Sequence, residues 1–127
     1  LVNNWLIESF NKLGLSLKKG HLRKSFIKVN CFGTSYLSDL VDQYGFKRIG
    51  SAQYRKKGAF LQHGEIQLNP PRELWNKLFG EEPPKKVNLS LTNDEIIKHL
   101  MDSFLKAKSN LKVETIRLKK DDIKKLL

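Results

Sequence analysis

Cysteine is almost missing from this chain: Cys31 stands alone among 127 residues. A single cysteine rules out an internal disulfide, so nothing points to an oxidising compartment, and the cytoplasm is the expected location. Long apolar runs are missing too. No stretch approaches the roughly 20 residues of a membrane helix, so no membrane partner is expected. Leu1 to Phe10 carries Asn and Glu in an amphipathic pattern, which is not a signal peptide. The chain opens on Leu rather than Met, as a fragment or processed piece would. Acidic residues are scarce: 13 Asp and Glu face 24 Lys and Arg, a net charge of +11. That balance favours an acidic partner, although a solvated lysine-rich surface accounts for it equally well.

With 39% hydrophobic residues the chain suits one globular domain able to bury a core. Trp5, Leu6, Phe10 and Leu13 recur at helical spacing before Gly14 and predict a helix over residues 3–13. Residues 16–24 are polar and basic and read as a loop. Strands are expected over 26–32, 37–42, 46–54 (interrupted at Gly50) and 59–68, with a basic hairpin connection at Arg55-Lys56-Lys57-Gly58. Pro70-Pro71 ends the strands. Leu74, Trp75, Leu78 and Phe79 then form the apolar face of a short helix that Gly80 stops. Pro83-Pro84 forces an extended connector. Thr92, with Glu95 three residues on, is a capping box for a helix carrying Ile96, Ile97, Leu100, Phe104 and Leu105. A last strand over 111–118 and a helix over 121–127 close the chain. The order predicts an α+β fold: a mixed, mostly antiparallel sheet with helices packed on one face.

Chemistry concentrates in Lys47-Arg48-Ile49-Gly50-Ser51-Ala52 and the nearby His63-Gly64. An ammonium can stabilise an oxyanion, and residues with little or no side chain let a ligand approach. Lys47 is either a charge clamp on a carboxylate, phosphate or acyl oxygen, or a solvent-facing strand lysine. Cys31 is either a nucleophile, given a cation to favour its thiolate, or a small buried apolar residue. Lys47 is two strands away and could supply that cation. His63 either orients a ligand or makes a structural hydrogen bond. No second His, Cys or carboxylate stands at ligand spacing from it, so no metal site is expected. Arg55-Lys56-Lys57 with Tyr54 and Phe60 has the aromatic and basic character of a nucleic-acid surface. No helix-turn-helix, zinc-finger or RNA-recognition signature accompanies it, and nucleic acid is disfavoured as a partner.

The run from Asp39 to Leu68, DLVDQYGFKRIGSAQYRKKGAFLQHGEIQL, resembles the lipoate–protein ligase and octanoyltransferase family, which uses the fold of biotin–protein ligases. The Lys-x-x-Gly-Ser-Ala core and the His-Gly pair carry the resemblance, which extends more weakly from Phe26 to Lys106. It implies that Lys47 contacts the acyl carbonyl or adenylate region. It implies that Gly50, Ser51 and Ala52 line an acyl tunnel, and that His63 and Gly64 close it from the adjoining strand. Asn30-Cys31-Phe32 resembles the segment of one octanoyltransferase branch whose cysteine carries a thioester-linked acyl group. The implied function is octanoyl or lipoyl transfer to a lysine of a lipoyl-carrier domain. Its partners would be acidic acyl-carrier and lipoyl-domain proteins. No tightly bound cofactor is implied, and the acyl group is substrate. ATP enters only if the chain is instead a lipoate–protein ligase. The family's earlier Arg-rich Gly-Gly loop and Val-x-His strand have no counterpart between Leu1 and Ser25. Residues 1–127 therefore read as a single partial domain, the C-terminal half of the catalytic domain. The N-terminal half would be supplied separately, or the chain would act as a binding module without activity.

Overall fold

A computed structural model describes residues 2–21, 31–107, 112 and 114. Helix α1 spans Val2–Lys12 and buries Leu6, Ser9 and Phe10. It ends as its sequence dictates. Gly14 takes φ +88° and donates its N–H to Asn11 O at 3.1 Å, while Leu15 N–H reaches Phe10 O at 2.9 Å. This pair of bonds is a Schellman motif, which needs a residue at ease in the left-handed region at Gly14's position.

Strand β1 follows at Leu17–Lys19, where the sequence suggested only loop. It is short, and only Leu17 is buried while both lysines face solvent. An edge strand of that kind carries no apolar alternation to read. Strand β2 is confined to Leu40–Asp42 rather than starting at residue 37. The preceding residues form a turn, closed by Asp39 N–H to Tyr36 O at 3.0 Å and Tyr36 N–H to Asp39 Oδ2 at 2.9 Å. Strands β3, Lys47–Lys56, and β4, Ala59–Ile66, form a long hairpin. Contrary to expectation, Gly50 does not interrupt β3, because it pairs in register with Glu65. Lys57 and Gly58 both have positive φ, 50° and 79°. These values suit the two-residue connection whose twist matches the strands.

The sheet order is β1-β2-β3-β4, with every neighbouring pair antiparallel. No parallel pair occurs among the described residues, in keeping with the mostly antiparallel sheet expected. The expected strand over 26–32 lies outside the described residues up to residue 30, and 31–33 form a turn. Of the expected strand 111–118 only residues 112 and 114 are described, neither in a strand, and the helix over 121–127 lies outside.

Helix α2, Arg72–Phe79, starts after Pro71 and ends where Gly80, φ 65°, donates to Asn76 O. Helix α3 spans Asn93–Ala107. Its capping box forms as read. Thr92 N–H and hydroxyl reach Glu95 Oε2 at 2.7 and 2.8 Å, and Glu95 N–H returns to Thr92 Oγ1 at 3.3 Å. The core joins Leu6 and Phe10 of α1, Leu15, Leu17, Leu40 and Ile49 of the sheet side, and Ile96 and Leu100 of α3. Helices α1 and α3 thus cover one face of the sheet. Phe10 is completely buried, a placement worth about 1.5–3 kcal/mol in transfer terms.

Candidate functional site

Lys47 and Gly50 are three residues apart in β3. In a regular strand that odd spacing would put them on opposite faces. The pairing with β2 is not regular: Leu40 opposes Ile49, but Val41 opposes Lys47. Arg48 is therefore an extra residue, a β-bulge, and a bulge redirects the side chains around it. As a result the Lys47 chain lies over Gly50. A Cβ built on Gly50 would sit 2.7 Å from Lys47 Cε and 3.2 Å from Nζ.

The bulge residue is itself pinned. Arg48 Nε donates to Asp42 Oδ2 at 2.7 Å, with both side chains at least 95% buried. Its Nη1 reaches Gln67 O at 3.3 Å. Asp42 Oδ1 accepts the Tyr44 and Phe46 N–H groups at 2.9 and 3.0 Å, shaping the turn that leads into β3. Adjacent cations thus have different jobs: Arg48 is locked inside against Asp42, and Lys47, its side chain largely covered, turns to the opposite face of the sheet.

Lys47 Nζ lies 3.0 Å from Asp39 Oδ2 and donates to the Cys31 carbonyl oxygen at 3.2 Å. The ammonium therefore brings together a segment 16 residues upstream and the buried end of the 36–39 turn. Cys31 itself is exposed and free, not the buried apolar residue of the bland alternative. Asp39 was not singled out from the sequence. Its signal was that Asp39 and Asp42 are the two charged residues between Cys31 and Phe46, just ahead of Lys47 and Arg48.

The β3–β4 register sets Ala52 against His63, Ser51 against Gly64 and Gly50 against Glu65. Directly opposed residues share a face. Gly50, Ala52, His63 and Glu65 thus fall on the Lys47 side, while Ser51 and Gly64 fall on the other. There Ser51 borders a cleft with Asn3, Leu37, Gln53 and Phe60. The Gly-Ser-Ala run is split between two faces, and His63 is exposed. Gly64 has a reason of its own. A Cβ there would stand 2.5 Å from Gly50 O and 3.0 Å from Ser51 Cβ, so the two strands approach too closely for a side chain.

Next to Cys31, Phe32 packs on Trp75 of α2 with ring centroids 5.6 Å apart, and Trp75 packs on Phe79 at 5.0 Å. These rings, with Ile66, Leu68 and Leu78, line an apolar groove of about 260 Å³ that Glu65 also borders. Trp75 is 7% exposed, and its Nε1 has no hydrogen-bond partner among the described residues. The groove runs from the Cys31 turn toward the strand opposite Gly50. From the sequence, Trp75 belongs to the apolar face of a short helix. Only the tertiary contact ties it to the cysteine segment. Among the described residues no cluster of three His, Cys, Asp or Glu could hold a metal ion, and no helix is long and apolar enough to cross a membrane.

No family model matches the chain. Among individual proteins, octanoyltransferase LipM of Geobacillus kaustophilus (strain HTA426) is 35% identical over 103 residues, covering 74% of this chain. Over that stretch this chain is similar to the lipoate–protein ligase and octanoyltransferase family. Its fold is also that of Ta0514 from T. acidophilum, a protein assigned as a lipoate protein ligase. That structure superposes with a TM-score of 0.61 at 18% identity over 94% of this chain. The chain spans about a third of the curated relative, 36%, and about half of the solved one, 48%.

Proposed function

We propose that this chain takes part in octanoyl or lipoyl transfer through an acyl thioester on Cys31. The observation that carries the reading is the Lys47 ammonium held 3.2 Å from the Cys31 carbonyl oxygen. The Cys31 thiolate attacks the carbonyl carbon of an acyl thioester presented by a carrier. The C–S bond to the carrier breaks, and the carrier leaves as a thiolate that takes up a proton. A lysine amine of a lipoyl domain then attacks the Cys31 thioester. The amide forms, the amine loses a proton, and Cys31 returns as the thiolate. Lys47 stabilises the oxyanion of each tetrahedral intermediate, where charge develops. The apolar groove beside Phe32 and Trp75 supports the reading, because it offers a long aliphatic chain shelter next to the cysteine.

The net charge of +11 suits acidic acyl-carrier and lipoyl-domain partners and would speed their encounter. This chemistry takes place in the cytoplasm. The part of the relatives' length that this chain does not span would complete the site as a separate or contiguous N-terminal half.

Incubation with an octanoyl-loaded carrier, followed by mass spectrometry of the intact chain, tests this. The chain is assayed alone and together with the N-terminal half of the LipM relative. One octanoyl group should appear on Cys31, without ATP, and should vanish in Cys31→Ser. An acyl adenylate that needs ATP, with Cys31 unmodified, would replace the transferase by a ligase. No modification under either condition would leave a binding module.

A further inference from the structure

We infer that Asp39 and Gly50 are positioning residues that fix where the Lys47 ammonium sits, Asp39 by its charge and Gly50 by its missing Cβ. The inference deepens the acyl-transfer reading and rests on Lys47 being the group that meets the acyl oxygen. Asp39 is a fixed anion. Its side chain is 5% exposed, and Oδ2 accepts both Lys47 Nζ at 3.0 Å and the Tyr36 N–H at 2.9 Å. Its backbone is held by Tyr36 O at one end and by the Gly20 N–H, 2.8 Å away, at the other. An ammonium has three N–H donors. Among the described residues Asp39 and the Cys31 carbonyl engage two, and the third is the one an oxyanion formed beside the cysteine would take. The chemistry needs a cation tied firmly yet not fully used, and this arrangement supplies one.

Gly50 provides the path. Besides Lys47, the nearest atom to a Cβ at this position is Asp39 Oδ1, 3.9 Å away. A side chain here would collide with the flexible end of Lys47 and with no backbone. The strand would tolerate it, and the lysine would be displaced. Gly64 is the contrast, since its Cβ would meet backbone. Gly50 therefore makes room for the lysine that meets the ligand, rather than for the ligand itself.

Amine labelling of the full chain with an N-hydroxysuccinimide ester, read by peptide mass spectrometry, tests this without relying on turnover. Lys56 and Lys57, both exposed in the hairpin, serve as internal references. Asp39→Asn keeps an acceptor for the Tyr36 N–H but removes the charge, and Gly50→Ala adds only the Cβ. Each should raise Lys47 labelling several-fold relative to Lys56 and Lys57, with the melting temperature nearly unchanged in Gly50→Ala. If the wild type acylates Cys31, both variants should lower the rate at saturating donor rather than raise KM. Lys47 labelling that stays at the wild-type level in Gly50→Ala overturns the inference, whether or not Asp39→Asn folds. A wild type that labels as expected but never acylates Cys31 overturns the transfer reading and leaves the positioning result standing.

Discussion

Lys47 and Gly50 share a face of the sheet because Arg48, between them, is an extra residue in the pairing with β2. The Lys-x-x-Gly spacing thus works through a bulge, and the bulge is held by the buried Arg48–Asp42 pair.

Removing Asp42 should therefore damage both fold and site. Asp42→Ala leaves Arg48 as an unpaired buried cation and strips the Tyr44 and Phe46 N–H groups of their acceptor. The expected loss is about 3–5 kcal/mol, measured by urea denaturation. Asp42→Asn, which keeps an acceptor for the turn, should cost less.

Gly64→Ala should be costly where Gly50→Ala is not. Its Cβ meets Gly50 O and the Ser51 backbone, which cannot swing aside. Overpacking of this kind costs about 1–3 kcal/mol. The two glycine variants compared in one thermal-melt series should separate cleanly, with only Gly64→Ala losing stability.

Trp75 links helix α2 to the turn that carries Cys31. Trp75→Ala empties a 93% buried site, since the residue is 7% exposed, and should cost about 3–5 kcal/mol. The milder Trp75→Phe removes an indole N–H that lacks a partner among the described residues. It should therefore destabilise far less in the same denaturation experiment.

Acid should weaken the start of α3. The Thr92 backbone N–H, and after it the Thr92 hydroxyl, hold the Glu95 carboxyl below its ordinary value. A carboxyl depressed in the folded state stabilises above its unfolded value and loses that contribution as pH falls through the folded one. The protection factor at the first turn of α3, which divides out the slower intrinsic exchange in acid, should fall as the pH is lowered through the carboxylate range. In Glu95→Gln that fall should be absent, because the side chain no longer titrates.

The helices were readable because their signals are local. Gly14 needs a left-handed conformation, Thr92 and Glu95 satisfy each other's donors, and the 3.6-residue apolar spacing of α1 and α3 marks their buried faces. The Lys57-Gly58 turn was readable for the same reason. Strand β1 was hidden because two of its residues are exposed lysines. Strand β2 was overlong because nothing local shows that Asp39 folds its side chain back onto Tyr36. Within the site, Lys47 and Cys31 were found as residue types at a recognisable spacing, and the fold does bring them together.

The sequence by itself determined helices α1 to α3, the hairpin turn, the α+β class and the candidate site residues, because each depends on neighbours within a few positions. Tertiary structure alone decided which of those residues face one another. It put Asp39 under Lys47, split Gly50 and Ala52 from Ser51, and set Trp75 against Phe32. The physical reason is the pairing of β3 with β2. A strand's alternation assigns faces only while the register is regular, and the one added residue at Arg48 resets it.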